Sequence, residues 1–194
     1  MKQIFAALTV LIGLSSVSQA GIMIEPYLGY ETGNLVYNPN TPAIQLTDNL
    51  TAPSYGLRLG YKFLLPWVAL DYAGAAGNVK SGNAFAPDTT YTRSSLGAVI
   101  GTDLPLVRFW AGYGFSNELA YKSTATTNAT KFKGTYLKAG LGLKVIPLMS
   151  VNVEYKINSY TRYDNGVSES DISNTFSSTK NDMIMLSLSA PFNL

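Results

Sequence analysis

The chain has 194 residues, of which 46% are hydrophobic and only 13% are charged, about half the charged fraction usual for soluble globular proteins. It contains no cysteine, which excludes disulfides, and no histidine, which removes the commonest general base and metal ligand. The net charge of +2, without any basic block, argues against a nucleic-acid partner. We therefore expect neither an ordinary soluble enzyme nor a bound metal or cofactor.

Residues 1–20 have the pattern of a cleaved secretory signal peptide. Lys2 supplies the charged start, residues 4–14 form a short apolar run, and Ser18 and Ala20 place small side chains just before Gly21. The apolar run of about 11 residues is shorter than the ~20 that a membrane-spanning helix needs. We expect an exported protein whose mature part, residues 21–194, forms a single domain.

Alternating hydrophobicity predicts strands along the mature chain. Between residues 150 and 158 every odd position is apolar (Val151, Val153, Tyr155, Ile157) and every even position is polar. A period of two over nine or more residues is typical of a strand and not of a helix. The same test predicts eight segments, at about 21–31, 54–63, 67–75, 92–102, 106–116, 134–145, 149–160 and 182–192.

The connections between these segments are of two kinds, and the two kinds alternate along the chain. Three are short and contain proline, at residues 64–66, 103–105 and 146–148; four are long and polar, near 32–53, 76–91, 117–133 and 161–181. Outer-membrane barrels combine an even number of strands, short periplasmic turns and longer external loops. The predicted fold is therefore all-β, an eight-stranded antiparallel up-and-down transmembrane β-barrel.

The two faces of the strands indicate which side meets lipid. The polar positions include many glycines, which would leave room inside an eight-stranded barrel for longer side chains. The opposite positions carry bulky residues suited to lipid and to aromatic girdles. The aromatic residues predicted to face outward are Tyr30, Tyr55, Tyr61, Phe63, Tyr72, Phe109, Tyr113, Phe115, Tyr155 and Phe192.

Charged residues at the inward positions predict an interior charge network. Residues paired across a tight turn have residue numbers with a constant sum, which places Arg58 opposite Asp71 and Lys138 opposite Glu154. Unpaired buried charges are costly, so a sparsely wetted lumen requires such pairs. The remaining predicted members are Glu25, Lys62, Arg108, Lys144 and Lys156. The network has two interpretations, a salt-bridged plug or a gate in which alternative pairings open a narrow ion path.

Two stretches resemble a known family. Residues 25–30, EPYLGY, and 183–194, MIMLSLSAPFNL, are similar to the opening and closing strands of the small eight-stranded outer-membrane barrels of Gram-negative bacteria, such as the transmembrane domain of outer-membrane protein A and its short relatives. Closing strands in that family usually end in an aromatic residue, whereas here Phe192 precedes the final Leu194 by two positions.

The resemblance implies location and partners. The closing strand, with Leu186, Leu188, Phe192 and Leu194, would be the signal read by the barrel assembly machinery, after delivery by periplasmic chaperones. The implied surroundings are outer-membrane lipid and lipopolysaccharide, and the implied state is a monomer. Some eight-stranded outer-membrane barrels are lipid-modifying enzymes that resemble serine-type catalysts and use a histidine. This chain has no histidine, so we expect no enzymatic activity.

The remaining functional options lie in the long connections and in the lumen. The connections offer Thr, Asn and Ser for surface interaction, and Lys122, Lys131 and Lys133 for the phosphates of lipopolysaccharide. We expect a structural or surface-interaction role. The alternative is a narrow channel for ions or small solutes, gated by the interior salt bridges.

Overall fold

The computed structural model of the protein describes residues 20–40, 45–82, 88–123, 128–146 and 148–194. The predicted signal peptide at 1–20 lies, apart from Ala20, outside these described residues. No helix in the described part of the chain is long and apolar enough to cross a membrane.

Eight long strands form the barrel. They are β1 (Gly21–Pro39), β2 (Leu46–Lys62), β3 (Pro66–Lys80), β4 (Thr89–Asp103), β5 (Val107–Tyr121), β6 (Thr130–Ile146), β7 (Met149–Asp164) and β9 (Phe176–Ser189). A short strand β8 (Glu169–Asp171) and a 3₁₀ turn (Ile172–Asn174) lie between β7 and β9, and β10 (Phe192–Asn193) follows β9. Every neighbouring pair is antiparallel, as predicted.

The sheet closes on itself because β9 pairs with both β7 and β1. The closing seam runs along most of β1, from Tyr27 opposite Ser189 to Pro39 opposite Phe176. Beyond Ser189, β10 pairs with Met23 and Ile24, and the backbones of Ile22 and Leu194 exchange two hydrogen bonds of 3.1 and 2.9 Å. Closure leaves no long sheet edge exposed among the described strands, which is what a strand-built membrane protein requires.

Tight turns join β2 to β3, β4 to β5 and β6 to β7 at one end of the barrel, where the short connections were predicted. In the first of them Phe63 N donates to Pro66 O at 2.7 Å. Leu64 there has φ 69°, an uncommon backbone angle for a residue with a side chain. Pro147, in the third, lies outside the described residues.

The four long connections were predicted too long, because strand pairing continues well into them. The first shrinks to residues 40–45 and the second to 81–88, parts of which lie outside the described residues. The strands have 14–19 residues, against the 9–11 that suffice to span a bilayer. The barrel therefore continues past the apolar band as a solvent-exposed extension.

The prediction missed this extension because the apolar face switches sides. On β2 the outward residues from Tyr55 to Tyr61 are bulky and apolar, but beyond them the apolar residues Leu50 and Ala52 point inward and Asn49 points outward. A search for one continuous alternation stops at such a switch. Inward apolar residues with polar residues outside are typical of a strand in water, so the switch marks the outer limit of the membrane-facing band.

The predicted faces are confirmed within the band. All ten aromatic residues predicted to face lipid are exposed on the outer surface. Several inward glycines lie beneath large rings from neighbouring strands: the ring of Tyr27 covers Gly56, that of Tyr136 covers Gly114, and that of Trp110 covers Gly140. The glycines are required because a Cβ at these positions would overlap the rings.

One predicted cross-strand register is confirmed and the other is wrong. Arg58 lies opposite Asp71. Lys138, however, lies opposite Lys156, and Glu154 lies opposite Gly140. The strands reverse between Ile146 and Met149, later in the chain than the prediction placed the turn, so the β6–β7 pairs are displaced by two residues. The residue-number sum depends directly on where the turn is centred.

Candidate functional site in the barrel interior

Arg58 occupies the centre of the lumen. Its guanidinium Nη1 lies 3.2 Å from Glu25 Oε1, Nη2 lies 3.0 Å from Glu154 Oε2, and Nε lies 3.6 Å from Asp71 Oδ1. All four side chains are almost completely buried. One arginine thus joins carboxylates from three other strands, β1, β3 and β7.

Lys138 ties the same carboxylates together from the opposite wall. Its Nζ contacts Asp71 and lies 2.9 Å from Glu154 Oε2. Asp71 also accepts a hydrogen bond of 3.1 Å from the Tyr27 hydroxyl, and Glu154 accepts one of 2.8 Å from Trp110 Nε1. Each carboxylate therefore has several donors, which offsets the cost of removing it from water.

Two aromatic rings flank the guanidinium of Arg58. Its Cζ lies 4.9 Å from the ring centroid of Tyr27 and 4.7 Å from that of Trp110. These are cation–π distances, and such contacts are strongest where water is excluded. The rings fit because Gly56 and Gly140 leave space on the neighbouring strands, so the glycines and the central charge are parts of one arrangement.

A second group of charges surrounds Asp103 near the tight turns. Lys62 Nζ lies 2.7 Å from its Oδ2, Arg108 Nε 3.3 Å from its Oδ1, and Lys144 Nζ 3.7 Å from its Oδ2. Trp67 Nε1 donates to Asp103 Oδ1 at 2.9 Å. The lumen is thereby closed by charge at the turn end.

Arg108 links the two groups. Besides Asp103, it contacts Glu25 through Nη1 at 2.5 Å and Nη2 at 2.9 Å, and Glu25 also contacts Arg58. We call the connected set the lumenal charge network; its members are Glu25, Arg58, Lys62, Asp71, Asp103, Arg108, Lys138 and Glu154.

Above the network, Arg93 pairs with Glu31, and Glu31 also accepts a hydrogen bond of 3.1 Å from the Tyr91 hydroxyl. Lys156 lies nearby, with its Nζ donating to Ser95 Oγ at 3.1 Å and lying 3.9 Å from the ring centroid of Tyr136. Lys156 forms no ion pair with any described residue.

An apolar cluster fills the lumen of the solvent-exposed extension. We call it the apolar plug; its buried members are Leu35, Leu50, Ala52, Ala75, Val79, Tyr91, Leu119, Phe132, Tyr160, Phe176 and Met183. Ile172 of the 3₁₀ turn packs against it from the outer end. The interior is thus filled with charged pairs at membrane level and with hydrophobic side chains above it.

The structure buries eight of the nine residues predicted for the interior, namely Glu25, Arg58, Lys62, Asp71, Arg108, Lys138, Glu154 and Lys156. Lys144 lies at the turn end, with its side chain 18% exposed. Sequence reasoning missed Glu31, Arg93 and Asp103. The alternation could have found two of them, because Glu31 lies on the same face of β1 as Glu25, and Arg93 lies on the same face of β4 as Gly97. Asp103 falls in the short connection predicted at 103–105.

The predicted closing-strand residues all lie on the outer surface. Leu186, Leu188, Phe192 and Leu194 are exposed. Leu186 and Leu188 lie opposite Tyr30 and Leu28 of β1, near the end of the seam that begins at Tyr27 and Ser189.

The cations of the extension are mostly neutralised by neighbours. Lys131 Nζ lies 3.3 Å from Glu118, Lys133 Nζ lies 2.6 Å from Glu169 Oε2, and Arg162 Nε lies 2.5 Å from Glu169 Oε1. The hydrogen bond from Lys133 holds the pKa of Glu169 below the usual carboxyl value. Lys122 is exposed. Among the described residues, no group of three or more acidic side chains has the arrangement of a metal site.

The sequence matches the family described as outer membrane protein beta-barrel domain over residues 5–192. It matches no curated protein sequence. Among solved structures, Ail of Yersinia pestis, determined in complex with the heparin analogue sucrose octasulfate, is 13% identical with a TM-score of 0.58, over 89% of this chain and 99% of Ail.

Two further structures are similar. Neisserial surface protein A is 14% identical with a TM-score of 0.52, over 90% of this chain and all of its own. OprG of Pseudomonas aeruginosa is 12% identical with a TM-score of 0.53, over 91% of this chain and 98% of its own. At these identities the similarity concerns the fold.

Proposed function

The chain belongs to the outer membrane protein β-barrel domain family and is a β-barrel of the Gram-negative outer membrane; we propose that it is a closed, non-conducting barrel that presents its solvent-exposed extension as an interaction surface. The observation that carries this proposal is the filled lumen. The lumenal charge network occupies the membrane level, and the apolar plug occupies the extension above it.

Opening a path for ions would require both layers to move. Breaking the network would separate buried charges, and removing one partner of a buried pair costs about 3–5 kcal/mol. The plug would have to expose aromatic and aliphatic side chains that are now fully buried, such as Leu50 and Leu119. Both costs support a structural or surface-interaction role over conduction.

The outward face of the extension is polar but carries little net charge. Asn49, Thr90 and Thr92 are exposed there, and Lys131 and Lys133 are paired with carboxylates. A surface of this kind recognises a partner by hydrogen bonds more than by charge. Ail was solved with a sulfated heparin analogue; the paired cations here favour an uncharged polar partner instead.

Further partners follow from the location. We propose that lipopolysaccharide surrounds the extension, with exposed Lys122 as a phosphate contact. We also propose that the barrel assembly machinery, after delivery by periplasmic chaperones, reads the closing strand through Leu186, Leu188, Phe192 and Leu194, and that the barrel is a monomer. A non-enzymatic role agrees with a sequence that has no histidine or cysteine for a nucleophile–base pair.

One observation favours a narrow channel as the second candidate. Arg58 contacts three carboxylates, and Lys138 contacts two of the same three. A cation with several alternative partners can exchange them without ever becoming unpaired, so the channel would open by re-pairing within this network.

Conductance of the refolded mature protein in planar bilayers separates the two candidates. The closed barrel predicts no discrete current steps for the wild type or for the lipid-facing control Leu186→Ala. Discrete wild-type steps that Lys138→Ala alters, and that Leu186→Ala leaves unchanged, would favour the gated channel. A heat-shift gel of each variant verifies that the barrel is folded.

Surface interaction is tested on cells. A non-adherent Gram-negative host displaying the protein is compared with one displaying the joint variant Asn49→Ala, Thr90→Ala, Thr92→Ala for adhesion to immobilised neutral glycans and to heparin. We expect the wild type to adhere to neutral glycans and the joint variant to lose this adhesion. The conservative double variant Thr90→Ser, Thr92→Ser should retain it. Equal adhesion of wild type and joint variant would contradict it.

A further inference from the structure

A small interior cavity of about 10 Å³ lies in the lumen beside the charge network. Its polar lining comprises Glu31, Ser54, Arg93, Lys138, Glu154 and Lys156, together with Tyr27 and Ser95. A space of this size holds one particle about as large as a water molecule. The walls come from different strands, so the cavity exists only in the closed barrel.

The lining carries an excess of positive charge. Three of its side chains are cationic and two are carboxylates. Arg93 pairs with Glu31, and Lys138 pairs with Glu154. Lys156 is left without a carboxylate partner, although its side chain is as buried as that of Lys138. An uncompensated charge at membrane level is costly and commonly marks a functional site.

The cavity is also lined by residues with unused hydrogen-bond donors. Ser54 Oγ and Arg93 Nε are buried without a partner in the described part of the chain. Lys156 has three N–H bonds, of which one is directed to Ser95 Oγ. By contrast, the Glu31 oxygens already accept from Tyr91 and Arg93.

Among the residues that the structure describes, one buried carboxylate has no cationic partner, and it lies elsewhere. Asp48 does not line the cavity; it accepts hydrogen bonds from Gly82 N at 3.1 Å and from the Tyr121 hydroxyl at 3.3 Å. It therefore does not balance the charge of Lys156.

We propose that this cavity binds one small monovalent anion of the halide class, held by Lys156 Nζ, Arg93 Nε and Ser54 Oγ. A halide accepts hydrogen bonds and donates none, which matches a lining of unused donors. It also neutralises the unpaired ammonium, which a water molecule cannot do. Because the network and the plug bound the cavity on either side, the anion is taken up as the barrel folds and then stabilises it.

The first test compares melting temperatures of the protein refolded in detergent with sodium chloride, sodium bromide or sodium gluconate at equal ionic strength. Gluconate is too large for the cavity. We expect a higher Tm in chloride and bromide than in gluconate, and loss of that difference in Lys156→Met. The exposed Lys80 is the matched control, since Lys80→Met leaves the lumen unchanged and should retain the difference. Equal wild-type Tm values in the three salts would overturn the proposal.

The second test needs no lumenal substitution at Lys156, which guards against a variant that fails to fold. Crystals of the wild-type protein grown from bromide should show an anomalous peak between Lys156, Arg93 and Ser54, and Ser54→Ala should reduce its occupancy. A site that holds a water molecule only, with no anomalous peak, would overturn the proposal.

Discussion

The ring of Tyr27 on β1 lies directly over Gly56, its cross-strand partner on β2. The Tyr27 hydroxyl donates to Asp71 Oδ1 at 3.1 Å, and the ring lies beside the guanidinium of Arg58. The missing side chain at Gly56 therefore leaves room for a hydroxyl donor and a ring that contact the charges of β2 and β3. The interior is ordered by this pairing of large residues with glycine as much as by charge.

Gly56→Ala should destabilise the barrel, because the added methyl overlaps the Tyr27 ring and moves its hydroxyl away from Asp71. Overpacking of this kind costs about 1–3 kcal/mol. Urea unfolding in lipid vesicles measures the loss, with the lipid-facing Ala98→Val as the control. In a double variant with Tyr27→Ala the two costs should be less than additive; full additivity would contradict the overlap.

Arg58→Met should cost about 3–5 kcal/mol, since it removes one cation from three buried carboxylates. From the register alone, reversing Arg58 and Asp71 together is expected to restore stability. The network predicts the opposite, because Arg58→Asp puts a carboxylate beside Glu25 and Glu154. The unfolding midpoints in urea of Arg58→Met and of the double variant Arg58→Asp, Asp71→Arg are compared. A double variant more stable than Arg58→Met would show that the pair is independent of its neighbours.

Leu50→Ala should lower the free energy of unfolding by about 2–5 kcal/mol, because Leu50 is fully buried in the apolar plug and its truncation leaves a cavity. The control is Leu70→Ala on the lipid face, where the side chain is 56% exposed and lipid fills the space. Equal losses for the two variants would mean that the plug contributes no more than an ordinary membrane-facing contact.

The carboxyl of Glu169 should titrate at a lower pH than an ordinary glutamate, because Lys133 hydrogen-bonds its charged form. A folded-state pKa below the unfolded value means that this contact stabilises the fold above the unfolded pKa and is lost as the pH falls through the folded pKa. Carboxyl ¹³C NMR titration in micelles should show the pKa rising in Lys133→Met. Lys180→Met, which removes the partner of Asp182, should leave it unchanged; a Glu169 pKa insensitive to Lys133→Met would refute the assignment.

Deletion of residues 192–194 should slow barrel assembly in cells and lower stability, because it removes β10 and the two hydrogen bonds between Ile22 and Leu194. Pulse-chase appearance of the heat-modifiable form measures assembly. The control is Phe192→Leu, which changes the side chain but keeps the length and the backbone pairing of β10. Wild-type assembly kinetics in the deletion variant would show that β1 and β9 close the barrel without β10.

The sequence was informative wherever neighbouring residues decide the structure. The period of two located the membrane-level strands, the tight turns and the inward charges, because pleating sends successive side chains to opposite faces whatever the rest of the chain does. The register across the β2–β3 turn followed for the same reason, since no bulge interrupts the pairing of Arg58 with Asp71. The β6–β7 register did not, because the strands reverse between Ile146 and Met149, later in the chain than predicted, and this displaces every pair along the two strands.

Closure of the barrel decided the rest. The contacts of Arg58 with Glu154 and of Arg108 with Glu25 join residues 96 and 83 positions apart across the lumen, and they form only when β9 returns to β1. The height of the extension depends likewise on an apolar core contributed by every strand. Alternation along one strand fixes which way a side chain points, but the partner it meets across the lumen is set by strand tilt and stagger around the whole barrel.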